Sequence, residues 1–349
     1  MRPLAALVFL VATTAGLLPA RPADSVPLVV TANTILDDLV RQVGGDQVRT
    51  HCLVAPGADP HTFEPRPSDV RHLVRADLLV VNGLNLEPAV LRLAQNSGFR
   101  GTTLVATTGL TPRAGGCAHD HHEESGDHDH EPSATPNSSP AAAAHHEHTA
   151  ACAHDHHDAE SSSPSTAHRP PSTDATPDPH AWQSPLAVKT YVANLRDALA
   201  RAHPAAAAHY EARAQAYLAE LDSLDRWVRE QIAIIPAARR KLVTSHDSLG
   251  YYADAYGLET IPVAGIAASA ETDARALAAI IDKIRHEKVP AVFFELTTNP
   301  KLVRQIGADA GVSLAEPLFT DSLGVPGSGA ETYLDLIRTN TTRIVSALK

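Results

Sequence analysis

Between residues 26 and 107, short apolar runs alternate with segments whose apolar positions recur every three or four residues. The runs at 28–30, 48–54, 78–81 and 103–105 read as strands; 35–43, 68–75 and 88–95 read as helices, the first closed by Gly44-Gly45. The same grammar returns after Arg240. Strands are expected at 242–244, 260–264 and 291–294, with a last short one at 318–320. Helices are expected at 251–256, 272–286, 300–310 and 332–348, with Gly257 and Gly311 closing two of them. Strands alternating with helices imply central parallel sheets flanked by helices, so the fold class is α/β with two similar lobes.

Between the lobes the pattern is helical twice over. Ser184 followed by Pro185 is an N-cap with proline at the first helical position, and Pro204 opens a second helix. There Tyr217, Leu221, Leu224, Val228, Ile232 and Ile235 recur at helical spacing with charges between them. Some thirty residues at about 1.5 Å each give a strut of about 45 Å, long enough to run along both lobes. The expected division is a first lobe over 26–203, a connecting helix over 204–235 and a second lobe over 236–349.

Residues 115–179 interrupt the first lobe with His, Ser, Ala, Pro and Asp and no apolar periodicity, so this insert is expected to be disordered when unliganded. It contains a repeat. Cys117-Ala118-His119-Asp120-His121-His122 recurs as Cys152-Ala153-His154-Asp155-His156-His157. Neutral imidazoles bind zinc, copper or nickel, so His119, His121, His122, His154, His156 and His157 are expected to form an auxiliary low-affinity metal tract.

The 349-residue length accommodates two domains, and 44% hydrophobic against 20% charged residues provides a buriable core. A net charge of −11 argues against a nucleic-acid partner and suits a cationic cargo. Met1-Arg2-Pro3, an apolar run over 4–18 and small residues up to Ala23 have the layout of a secretory signal peptide over residues 1–23. That run is shorter than the roughly 20 residues a membrane-spanning helix needs. No cysteine lies near the cleavage region. The mature protein is therefore expected to be free in the periplasm, not a lipoprotein. Of three cysteines, Cys117 and Cys152 occupy matching repeat positions and can close a disulfide or add thiolate ligands. Cys52, in a strand-like run, reads as a small buried hydrophobe.

Four further candidate ligands sit at lobe ends or directly after expected strands: His61, His180, His246 and Asp321. Ligands of open parallel sheets bind outside the carboxyl ends of the strands, so the four can converge on one cleft between the lobes. Three imidazoles and one carboxylate complete a tetrahedron that suits Zn²⁺ and leaves no position for a catalytic water. His61 and His180 share the frame Asp-Pro-His with an aromatic within two residues, and the proline fixes the backbone before the ligand. Glu295, ending the run Phe293-Phe294, is the second-choice carboxylate, better suited to orienting an imidazole N–H.

Gly57-Ala58-Asp59-Pro60-His61, Asp178-Pro179-His180-Ala181-Trp182, Thr244-Ser245-His246 with Tyr252 and Tyr256-Gly257, Phe294-Glu295, and Thr320-Asp321-Ser322-Leu323-Gly324 stand in this order. With them the chain resembles the cluster A-I solute-binding proteins of zinc and manganese ABC importers, and its His-rich insert resembles that of the zinc-specific branch. The resemblance implies two α/β lobes joined by one long backbone helix, with the metal between them on His61, His180, His246 and Asp321. It also implies a monomer that performs no reaction, carries Zn²⁺ as transported ligand and delivers it to ABC permease membrane subunits. In the manganese members the third position resembles a Glu, so His246 points to zinc. A secreted zinc hydrolase is disfavoured because the chain has no His-Glu-x-x-His frame. A metal-dependent adhesin of the same fold is the other alternative.

Overall fold

The computed structural model describes residues 26–115, 176–266, 274–297 and 299–349. The expected signal segment, Cys117, Cys152, the six auxiliary histidines and the first residues of the helix expected at 272–286 lie outside the described residues.

The first sheet joins β1 (Leu28–Thr31), β2 (Arg49–Cys52), β3 (Leu78–Val81) and β4 (Thr102–Val105), parallel and ordered β2-β1-β3-β4; β-branched residues and leucine make up all of these strands except β2, an edge strand of Arg-Thr-His-Cys. Their crossovers are α1 (Thr34–Gly44), α2 (Pro67–Arg75) and α3 (Pro88–Asn96). Asn33 caps α1 by accepting from the Leu36 N–H. Cys52 is half-buried rather than buried; its thiol donates to the Val54 carbonyl, and burial pushes its pKa up to about 12.

The Ser184 hydroxyl accepts from Ala187 N–H and starts α4 (Pro185–Ala202). Pro204 opens a single 3₁₀ turn, after which α5 (Ala207–Ala233) runs 27 residues, or about 40 Å. Its buried stripe includes Tyr210, Tyr217, Leu221, Leu224, Val228 and Ile232. Along this stripe α5 packs on α1 and α4, and on two helices of the second half, α6 (Gly250–Tyr256) and α9 (Tyr333–Leu348). One apolar core therefore extends through both halves, from Val29 and Leu79 to Phe293 and Ile337.

The second sheet joins β5 (Lys241–His246), β6 (Glu259–Ala264), β7 (Ala291–Val292) and β8 (Ser313–Leu314), parallel in the order β6-β5-β7-β8. The helices α7 (Ala274–His286) and α8 (Lys301–Ala310) complete its crossovers. Alternation along β5 serves two cores: Leu242 joins the large one, and Val243 joins a smaller cluster with Ile280, Ile284, Val303 and Ile306. Gly257 and Gly311 end α6 and α8 in the left-handed conformation, at φ 72° and 75°. The strand expected at 291–294 is regular only over β7, and its extension is a single parallel bridge, Glu295 with Leu318. The sequence reading missed β8, because two exposed residues carry no alternation.

In each sheet the strand order reverses once, between β1 and β3 and between β5 and β7, where the carboxyl ends of neighbouring strands diverge and leave a crevice. At the first reversal the chain leaves β3 through Gly83, Leu84 and Asn85, all at positive φ. The Glu87 carboxylate, only 3% exposed, braces this turn by accepting from the N–H groups of Asn82 (2.5 Å) and Gly83 (3.2 Å). Burial pushes the Glu87 pKa up from the usual 4.5 to about 7, outweighing those hydrogen bonds. The folded state therefore holds this proton more tightly than the unfolded chain. The stabilisation is complete below pH 4.5 and is lost as pH rises through 7, by about 3 kcal/mol in all. Chemical denaturation at pH 5 and at pH 8 checks this. Glu87→Gln should lose that part of the pH dependence, and an unchanged slope in the variant would rule the account out.

Candidate metal centre

The two Asp-Pro-His frames fold alike. In each, the aspartate accepts from the backbone N–H of the histidine two residues on: Asp59 from His61 at 2.8 Å and Asp178 from His180 at 2.9 Å. Each histidine then lies in or just before a 3₁₀ turn, Pro60–Thr62 or Ala181–Gln183. Asp178 Oδ1 also faces His180 Nδ1 at 2.8 Å, which leaves Nε2 pointing into the crevice. Pro179 is fixed from behind: Asn82 Nδ2 donates to its carbonyl, and the Tyr191 hydroxyl donates to Asn82 Oδ1.

His246 is the last residue of β5 and is fully buried. Asp321 follows the Glu295–Leu318 bridge and is 1% exposed. Two side chains from the first half, Trp182 through Nε1 and Gln183 through Nε2, both donate to the Thr320 carbonyl at 2.7 Å. The hydroxyls of Thr297 and Thr320 donate to Asp321 Oδ2.

The structure brings His61, His180, His246 and Asp321 together, with one potential ligand atom of each inside a 4.8 Å span. His61 Nε2 lies 3.1 Å from His180 Nε2, which lies 3.4 Å from Asp321 Oδ1, and His246 Nε2 lies 3.3 Å from Asp321 Oδ2. The contacts between Asp321 and the imidazoles of His180 and His246 are close but not aligned as hydrogen bonds. Both His246 nitrogens and Asp321 Oδ1 are buried without a hydrogen-bond partner among the described residues. Polar atoms converging in this way are what a cation satisfies. Glu295 stands outside the set, behind His246: Oε1 lies 3.6 Å from Nδ1, and Oε2 accepts from Ser245 N–H. It faces the imidazole nitrogen turned away from the cluster.

Electrostatics separate the half-buried histidine from the buried ones. Burial, aided by the two neighbouring imidazoles, pulls His61 down to about 4. Burial acts the same way on His246, but Asp321 and Glu295 outweigh it and hold the imidazole well above its ordinary value. For His180, the hydrogen bond to Asp178 and the facing Asp321 carboxylate likewise overcome burial and raise the pKa. Burial would raise Asp321, yet facing His246 and His180 keeps it well below the usual carboxylate range. A metal arriving here meets a ready anion and displaces protons from the buried imidazoles.

Asn82, Tyr191, Gln183 and Thr297 went unnoticed in the sequence. Only the repeated Asp two residues before a His carried a local signal.

Residues 29–347 match the sequence profile of the family described as zinc-uptake complex component A, periplasmic. The chain belongs to this family. As a zinc-uptake complex component A protein it is the periplasmic metal-binding component of an ABC importer and not an enzyme, and it delivers metal to membrane permease subunits. An iron-binding protein, YfeA of Yersinia pestis, is 29% identical over 330 residues, which is 93% of this chain and 88% of that protein. The manganese-binding lipoprotein MntA of Halalkalibacterium halodurans is 28% identical over 327 residues, 92% of this chain and 88% of its own. Among solved structures, the periplasmic zinc-binding protein TroA of Treponema pallidum superposes with a TM-score of 0.73 at 25% identity, covering 93% of this chain and 99% of that one.

These relatives also correct one expectation. The protein was expected not to be a lipoprotein, but MntA is named a lipoprotein, as are streptococcal relatives. A lipid tether keeps such a carrier at the membrane surface, where the permease subunits lie. The extracytoplasmic location stands.

Proposed function

We propose that His61, His180, His246 and Asp321 hold one Zn²⁺ ion, which this family member captures outside the cytoplasmic membrane for its permease. The observation that carries this reading is the spacing of the ligand atoms. Zinc bonds of about 2.0–2.1 Å place neighbouring tetrahedral ligands about 3.3 Å apart. Three of the six pairs here stand at 3.1, 3.3 and 3.4 Å, the two to Asp321 through its different oxygens, and one atom of each of the four residues lies within 4.8 Å of the others. Three imidazoles favour zinc over manganese, which prefers oxygen ligands and lies lower in the affinity series. The manganese- and iron-binding relatives make another divalent metal the rival reading.

The histidine tract within residues 117–157 acts, in this reading, as a collector. Weak imidazole sites on a tether raise the local zinc concentration near the cleft without forming the tight site.

Elemental analysis of protein purified without an added tag, followed by zinc and manganese titrations, tests both parts. Zinc should bind tighter than manganese. The full chain should show one tight and several weak zinc sites, and a variant lacking residues 117–157 should keep only the tight one. Manganese displacing zinc at stoichiometric loading would sink the zinc reading. Loss of the tight site on deletion would sink the collector.

A further inference from the structure

Arg113 lies just before the insert, and its backbone is clipped to the returning strand. Asp178 N–H donates to the Arg113 carbonyl at 2.9 Å, Gly115 N–H donates to Thr176 at 2.9 Å, and Ala114 and Pro177 form an antiparallel bridge. The guanidinium reaches across to the second half. Nη1 stands 3.3 Å from Asp178 Oδ2 and 3.6 Å from Asp247 Oδ2, and Nε stands 3.1 Å from Asp254 Oδ2. Asp178 and Asp247 are buried, at 0% and 4% side-chain exposure.

The seat for this side chain is built. At Gly250, the first residue of α6, an added Cβ would stand 2.3–2.7 Å from three guanidinium atoms, so the absence of a side chain there makes the room. The neighbouring Tyr251 hydroxyl accepts from Arg113 N–H and donates to the Asp178 carbonyl.

Two of the three aspartates touch the candidate ligands through the chain or a hydrogen bond. Asp178 orients His180 through Nδ1, and Asp247 directly follows His246. A cation binding one carboxylate from each half, beside one ligand from each half, restrains the separation of the two. We propose that Arg113 is a positioning residue that latches the halves together over the metal and thereby slows its release. The proposal rests on the metal site assigned above and adds a kinetic role to a residue outside it.

A latch absent from the open, metal-accepting form acts on dissociation and leaves association nearly unchanged. Zinc release into excess chelator, followed by stopped flow on the full chain, reads the first rate, and rapid mixing with Zn²⁺ reads the second. Arg113→Gln should speed release about 10- to 100-fold, the range for residues that orient metal ligands, while association changes less than about threefold. Arg113→Lys, which keeps the charge without the planar fork, should fall between. Gly250→Ala keeps the arginine but fills its seat, and should speed release as well. Because Asp178 is one partner, Arg113→Gln should add less in an Asp178→Asn background than alone.

Unchanged release in both Arg113→Gln and Gly250→Ala would overturn the latch while leaving the site intact, as would equal changes in both rates. Failure of the site itself would show instead as unaltered zinc affinity in His246→Ala. If Arg113→Gln did not fold, Gly250→Ala alone would decide.

Discussion

Replacing His246 by alanine should lower zinc affinity about 100- to 1,000-fold. Four-ligand zinc sites release about 10–16 kcal/mol on binding, so one ligand accounts for roughly 2.5–4 kcal/mol, and each 1.4 kcal/mol is about tenfold. His246 is the position at which the full loss is expected. It is fully buried at the end of β5, so no bulk water stands ready to take its place. Its removal also leaves Asp321 and Glu295 facing a gap, with no imidazole between two buried carboxylates. His61 is half-buried, and a solvent molecule can fill its place more readily, so His61→Ala should cost less. Chelator-competition calorimetry on both variants checks the order. Affinity within about threefold of wild type in His246→Ala would remove this residue from the site.

The lobes and the strut were readable because each rests on local chemistry. The i, i+3, i+4 stripe from Tyr217 to Ile232 is the buried face of α5, and Gly257 and Gly311 end their helices as glycines at positive φ must. The doubled Asp-Pro-His frame was readable for the same reason, since its aspartate caps the histidine two residues away. What stayed hidden depends on partners brought together only by the fold. Arg113 meets Asp254 across 141 positions, and Trp182 and Gln183 meet the Thr320 carbonyl across 138 and 137. No window of sequence contains such a pair.

Charge pointed to a cationic cargo without locating its site. Asp and Glu crowd residues 116–175, where Arg169 is the only Lys or Arg. The candidate metal centre instead brings together one carboxylate and three imidazoles, the set on which the proposed preference for zinc rests.

Saturating zinc should raise the melting temperature of the metal-free protein by about 8–16 °C. At a thousandfold excess over the dissociation constant, binding adds about 4 kcal/mol to the folded state, and each kcal/mol moves a domain of this size by roughly 2–4 °C. Two proposed ligands precede α5 and two follow it, so the metal crosslinks both sheets and its binding energy bears on the whole core rather than on one loop. The His-rich insert, without apolar periodicity to fold around, binds zinc alike in the folded and the unfolded chain, so its own contribution cancels. A variant lacking residues 117–157 should therefore show the same shift, even though it has fewer metal-binding groups. Scanning calorimetry with chelator and with zinc, on both chains, separates the two contributions. A smaller shift in the deletion variant would mean that the insert stabilises the folded state itself, which would contradict its role as a tethered collector.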